Sequence, residues 1–188
     1  MHLFAAPVPA GKKALEHETA YRLLAYAVQE VYGLSLPEIA CDSRGKPFFP
    51  QRQEICFNLS HCRGLAVCGI SAFPLGVDCE SIRSLREGVL RRSFAPEEVL
   101  ANHGKPQPDK TFPVLDAERS VCRKALGVAS LPPLTRQCLR WTGEMSSPPQ
   151  GWQFRQFRLD SGHVVSCCGA SEDTLPEELP RCVILRKH

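Results

Sequence analysis

Two acidic side chains stand one residue apart in Gly76-Val77-Asp78-Cys79-Glu80. On an extended segment residues i and i+2 share a face, so Asp78 and Glu80 point the same way. Like charges held side by side repel, and a cation relieves them. Paired hard oxygens suit Mg²⁺, which takes one or two carboxylates and fills its shell with water and phosphate oxygens. A bare Asp-x-Glu also describes a solvated strand end, so its neighbours decide its weight. Upstream, Cys56-Phe57-Asn58-Leu59-Ser60-His61-Cys62 runs from a strand end into a polar turn. Its Ser-His pair offers hydroxyl and imidazole donors to an anion. Adjacent side chains on an extended segment face opposite ways, so Ser60 and His61 lack the mutual hydrogen bond of a nucleophilic triad. No G-x-S-x-G turn surrounds Ser60.

The elements that must position these groups follow from periodicity and turn chemistry. Leu15, Ala20, Leu23, Leu24, Ala27, Val28 and Val31 recur at helical spacing, which predicts a helix over 14–32 that stops at Gly33. Residues 34–50 are turn-rich, with Asp42-Ser43-Arg44-Gly45 the clearest turn. Strands are expected at 54–59, 65–71 and 75–79. Helices are expected at 83–92 and 96–102, a loop at 104–108, and a further helix from near Lys110 or Val114. Residues 145–151 read as a loop. Residues 152–159 and 163–168, joined by Asp160-Ser161-Gly162, carry a β-hairpin signature. Strand-rich stretches on both sides of helices point to an α+β fold.

Three pieces stand in a fixed order: Gly45-Lys46-Pro47, then Phe57-Asn58-Leu59-Ser60-His61, then Gly76-Val77-Asp78-Cys79-Glu80. With Ser93-Phe94-Ala95-Pro96-Glu97-Glu98, they resemble the 4′-phosphopantetheinyl transferases, in particular the larger monomeric type that activates nonribosomal peptide and polyketide synthases. The joint occurrence of F-N-x-S-H and G-x-D-x-E is far more specific than either motif alone. The resemblance implies two similar α+β halves related by a pseudo-twofold, with residues 1–74 supplying phosphate-binding groups and residues 75–188 the acids. It implies that the phosphopantetheine arm of coenzyme A moves to a serine of an apo acyl or peptidyl carrier protein, with Mg²⁺. Asp78 and Glu80 match the metal ligands. Lys46, Ser60 and His61 match residues that hold the phosphates, and Arg22 matches a basic position of the N-terminal helix. Lys12 and Lys13 are within reach of the coenzyme's 3′-phosphate in such an arrangement.

The family's remaining motif, W-T-x-K-E-(A/S)-x-x-K, is altered here. Its counterpart is Leu115-Asp116-Ala117-Glu118-Arg119-Ser120-Val121-Cys122-Arg123-Lys124-Ala125-Leu126-Gly127. One alignment puts Glu118 at the Lys position, Arg119 at the acid position and Arg123 on the final Lys. The other puts Ser120 at the acid position and Lys124 on the final Lys. Neighbouring helix positions point about 100° apart, so Glu118 serves as third acid, metal ligand or base only on a rotated or bent helix. Asp116 is the weaker substitute. Arg123 and Lys124 keep positive charge one turn on for the phosphate. Two competing readings follow: a homologue that binds coenzyme A or carrier protein without turnover, and an unrelated metal-dependent hydrolase built on Asp78 and Glu80.

Composition bounds the rest. At 188 residues, with 43% apolar and 23% charged content, the chain has ample core for one large or two small globular units. Net charge is +3, and Lys plus Arg stand 7 against 6 acids in 1–74 and 16 against 14 in 75–188, so neither half forms a nucleic-acid surface. Arg83, Arg86, Arg91 and Arg92 offer a basic face to an acidic carrier. Ten cysteines without a C-x-x-C, and a start lacking a charged leader region, fit reduced thiols in a cytoplasmic protein; that it is a monomer is what the resemblance implies. No run is long enough to cross a membrane.

Overall fold

The computed structural model describes residues 1–9, 11–82, 124, 140–141, 146–147 and 150–185, with 140–141 and 146–147 described by backbone alone. The helices expected at 83–92 and 96–102, the loop at 104–108 and, apart from Lys124, the helix expected beyond 110 lie outside the described residues. What is described is α+β: one helix and two main sheets.

Helix α1 covers Lys13–Tyr32 and buries the stripe Ala20, Leu23, Leu24, Ala27 and Val28. It stops where expected, at Gly33, whose φ of 67° is left-handed and whose N–H donates to Gln29 O at 2.9 Å. The stripe packs on a four-stranded sheet. Strand β1 (His2–Pro7) pairs antiparallel with β5 (Leu65–Ser71), and β5 pairs antiparallel with β4 (Cys56–Cys62). The residues before α1 carry only a short apolar patch, yet they form β1 because the β5 edge supplies a partner. Its alternation then sends Phe4 and Ala6 to the helix and Leu3 and Ala5 to the opposite face.

That opposite face meets the second sheet. Strand β6 (Leu75–Ser81), β10 (His163–Ala170) and β9 (Trp152–Leu159) pair antiparallel in the order β6-β10-β9. Val77, Cys79, Val165, Cys167 and Phe157 interdigitate with Leu3, Ala5, Leu65 and Val67. Strand β5 is therefore covered on both faces, and all seven of its residues are buried, which explains its unbroken apolar run. The last described strand, β11 (Arg181–Cys182), returns to pair in parallel with β1. Nearby, the Ser71 hydroxyl donates to Asp173 Oδ2 at 2.7 Å.

Two short pairs and a hairpin turn complete the picture. Strands β2 (Ala40–Cys41) and β3 (Pro47–Phe48) flank the expected turn, where Gly45 has φ of 79° and Asp42 Oδ1 accepts the Arg44 and Lys46 amides at 2.8 Å each. The Lys46 amide is the main reason the Asp42 carboxyl sits below its ordinary range. The segment read as a loop at 145–151 contains β8 (Ser146–Ser147), because Arg140–Trp141 (β7) lies opposite and completes a ladder. Gly162, with φ of 75°, turns the β9–β10 hairpin.

Gly69 in β5 faces the second sheet at short range. A Cβ there would lie 2.5 Å from Val77 Cγ1 and 2.7 Å from Leu75 Cδ1. Gly69→Ala is expected to cost about 1–3 kcal/mol by forcing the sheets apart, read as a lower urea midpoint with unchanged m-value.

The eight described cysteines form no disulfide. Burial pushes the Cys68 thiol up and the Cys167 thiol up to about 12, while a hydrogen bond with Cys62, reinforced by burial, raises Cys79 well above its ordinary value. Between the ordinary thiol value of 9.0 and about 12, unfolded thiols ionise while the folded ones stay protonated. The unfolded state then binds fewer protons, so stability falls as pH rises, by up to about 1.4 kcal/mol per pH unit for each thiol. Denaturant titrations at about pH 8 and about pH 10 should show that loss, with alkylation in native buffer confined to exposed thiols such as Cys41 and Cys182.

Candidate functional site

The acids and the Ser-His run meet at the seam between the two sheets. Among the described residues, strands β4 and β6 are both sheet edges. The β6 groups that point away from β10 find side chains instead of a backbone ladder. The Val77 N–H donates to Asn58 Oδ1 at 2.9 Å, and the Cys79 N–H donates to Ser60 Oγ at 3.3 Å. Asn58 and Ser60 are two apart on one strand, and the amides they accept are two apart on the other. Strand periodicity alone makes that match possible. Asn58, Ser60 and Asp78 are all buried, so each unmet polar group there would carry a full desolvation cost.

Asp78 and Lys124 are the centre of the seam. The Ser60 hydroxyl donates to Asp78 Oδ1 at 2.6 Å, and Lys124 Nζ donates to the same oxygen at 2.5 Å. Lys124 Nζ also reaches Ser60 Oγ and Val77 O, each at 3.1 Å. An ammonium has three donors, and here three oxygens take them. The Ser60 hydroxyl is equally committed: it donates once and accepts twice, which fills its capacity. It therefore acts as a keystone of the seam, with no spare proton for a base to remove.

Lys46 arrives from the β2–β3 turn and donates from Nζ to the Lys124 backbone oxygen at 2.9 Å. Burial pushes its ammonium below the usual lysine range. Beside it opens a cavity of about 400 Å³, bounded by Asp42, Phe48, Phe49, Phe57 and Pro74. Glu80 lies two residues beyond Asp78 on the same strand and is half-buried.

His61 turns to the other face of β4. Its Nδ1 lies 3.8 Å from the buried Glu16 carboxylate of α1, and its ring meets His17 edge-on at 6.0 Å. Arg22 lines a separate cavity of about 360 Å³ with Pro7, Leu15, Glu18 and Leu185. The structure thus joins Lys46, Ser60, Asp78 and Lys124, and sets apart His61, which faces α1 from β4, and Arg22, which lies on α1. Glu118, Asp116, Arg119 and Arg123 lie outside the described residues.

Comparison with known proteins adds a second line. A 4′-phosphopantetheinyl transferase of Bacillus subtilis is 29% identical over 161 residues, covering 80% of this chain and 72% of that protein. The Bacillus subtilis 4′-phosphopantetheinyl transferase ffp is 23% identical over 167 residues, covering 84% of this chain and 74% of its own length. The 4′-phosphopantetheinyl transferase Sfp of Bacillus subtilis strain 168 is 22% identical over 143 residues, covering 72% of this chain and 63% of its own. The chain belongs to the 4′-phosphopantetheinyl transferase superfamily. No family model matches it.

For a member of this superfamily the donor set at β6 deserves a chemical test. Asp78 and Glu80 are hard oxygen donors on one strand face, and Asp78 is buried, so their chemistry fits Mg²⁺. Among the described residues no group of three or more His, Cys, Asp or Glu side chains gathers to hold a metal. The described pair must be completed by water or phosphate, or by groups beyond the described residues.

Asn58 is the site residue that motif reading passed over. Its signal is the i, i+2 match to Ser60, which acquires meaning only once β6 is known to lie alongside. Asn58→Ala leaves the buried Val77 N–H unmet and should cost about 1–3 kcal/mol, measured by chemical denaturation.

Proposed function

We propose that this superfamily member transfers the 4′-phosphopantetheine group of coenzyme A to a serine of an apo acyl or peptidyl carrier protein in an Mg²⁺-dependent reaction. The observation that carries the reading is the convergence of Ser60, Asp78 and Lys124, from three separate segments, on one half-buried point. In this reading residues 1–74 and 75–188 are the two pseudo-twofold halves, the protein is a cytoplasmic monomer, and coenzyme A lies in the cleft between the halves.

Asp78 and Glu80, with Glu118 as third acid, would hold the metal. When bound, the ion would neutralise charge that develops on the phosphate of the departing adenosine 3′,5′-bisphosphate. The chain's own residues then supply position and charge. Lys46, Lys124 and Arg123 face the diphosphate, Ser60 fixes Asp78, and His61 and Arg22 meet the remaining phosphate. The carrier serine oxygen attacks the phosphorus that bears the pantetheine arm. A new P–O bond forms, the bond to adenosine 3′,5′-bisphosphate breaks, and the serine proton passes to Glu118. Lys124 and Lys46 offset the negative charge of the departing phosphate, the electrostatic role that dominates phosphoryl transfer. The contact of Lys124 with Asp78 favours the alignment that ends in Lys-Ala-Leu-Gly.

Incubation with coenzyme A, Mg²⁺ and an apo carrier protein should add the phosphopantetheine mass to the carrier, read by intact mass spectrometry. Asp78→Ala should slow that transfer at least about a hundredfold while the protein stays folded. A panel of carriers that never gains the mass, with coenzyme A still bound, would favour a binding protein without turnover. Phosphate released from a simple ester without any carrier would point to a hydrolase.

A further inference from the structure

The ammonium of Lys124 sits where a cation belongs. Its Nζ is bound by Asp78 Oδ1 at 2.5 Å, Ser60 Oγ at 3.1 Å and Val77 O at 3.1 Å, all oxygens of the β4–β6 seam. We infer that Lys124 is the resident cation of the acid pocket, occupying Asp78 until the phosphates of a nucleotide draw it away, so that divalent metal and coenzyme A bind cooperatively. This rests on the reading of Asp78 as a metal ligand.

Charge and valence govern the pocket. Asp78 and Glu80 offer two carboxylates on one strand face, and the lysine is bonded to Asp78. A divalent ion arriving at Asp78 Oδ1 meets an ammonium already bonded there, and two cations on one oxygen of a buried acid repel strongly. The two cations therefore compete for that oxygen. The lysine can leave, because its side chain is 29% exposed and so borders solvent that a ligand can enter. A buried ammonium does not leave for water cheaply, since it gives up three oxygens at once. A diphosphate changes the balance by presenting several anionic oxygens. Lys46, bonded from Nζ to the Lys124 backbone oxygen, anchors the main chain while the side chain swings. Metal then takes the vacated oxygen. By linkage, whatever factor coenzyme A adds to metal affinity, metal adds to coenzyme A affinity.

The test is titration of Mn²⁺, followed by its electron paramagnetic resonance signal, into wild type, Lys124→Met, Lys124→Gln and the charge-retaining Lys124→Arg. Each is titrated with and without coenzyme A, after subtraction of Mn²⁺ binding to coenzyme A alone. Thermal melts establish that each variant is folded. Without coenzyme A, the Met and Gln variants should bind Mn²⁺ at least about tenfold more tightly than wild type, with the Arg variant close to wild type. Coenzyme A should tighten Mn²⁺ binding to wild type by a similar factor and leave Lys124→Met nearly unchanged. Wild type alone suffices to overturn the inference, if coenzyme A leaves its Mn²⁺ affinity unaltered. Equal Mn²⁺ affinity in wild type and Lys124→Met, abolished in both by Asp78→Asn, would also overturn it while sparing Asp78 as a metal ligand. Mn²⁺ binding indifferent to Asp78→Asn in every background, or absent throughout, would remove the metal reading and this inference with it.

Discussion

A carboxylate buried between two sheet edges must be compensated, and the site follows from how this chain does it. Asp78 is about nine-tenths buried, at 7% exposure, on a strand whose outer edge has no backbone ladder among the described residues. An isolated charge in that position is untenable. Ser60 and Lys124 meet it on one oxygen, and the same two groups satisfy the Cys79 N–H and Val77 O of the bare edge. Neutralising the acid and closing the seam are therefore one arrangement. The apolar layers on either side set the distance over which it operates. Leu3, Ala5, Leu65 and Val67 pack against Val77, Cys79 and Val165, and Gly69 lets the sheets come close enough for side chains to bridge their edges.

Strand alternation lets a short run serve two surfaces. Asn58 and Ser60 turn to β6, while Phe57 joins the core beneath α1 and His61 meets Glu16 on that helix. A reading of Phe57-Asn58-Leu59-Ser60-His61 as one anion-binding cluster thus separates into a seam-facing pair and a helix-facing histidine. The pairing with Glu16 is informative in itself. A buried acid on the first turn of α1 faces an imidazole from β4 at 3.8 Å, so helix and strand also meet through polar side chains beside the apolar stripe.

Features set by local chemistry were legible. The stripe of α1 and its stop at Gly33 follow from helical spacing and a left-handed glycine. The Asp42 turn follows from a carboxylate accepting nearby amides, and the continuous apolar run of β5 from cover on both faces. The opposite orientation of Ser60 and His61 is implied by their adjacency. Features that depend on distant partners were not legible. β1 needs the edge of β5, and β8 needs Arg140–Trp141. The acceptor role of Asn58 needs β6 alongside. Lys46 bonds to a backbone oxygen, which leaves no trace in residue type. Lys124 was legible as a phosphate contact by resemblance, but its hold on Asp78 is a property of the folded seam.

The residue types at the seam are hard to explain by stability alone. A polar, partly ionic junction gains little net free energy, because desolvation of the charges offsets their attraction, and apolar side chains of similar volume often serve as well or better. This chain has such side chains within reach, since Leu65, Val67 and Val77 already form a dry layer one step inward. It nevertheless places an acid, a hydroxyl, an amide and an ammonium where β4 meets β6. Such departures from the consistent apolar pattern are expected where a site must exchange partners, since each group bonded here to its neighbour is also able to bond to a ligand. Lys124 makes the point most directly: at 29% exposure it is committed to three protein oxygens yet open to solvent, a combination that a purely structural ion pair does not require.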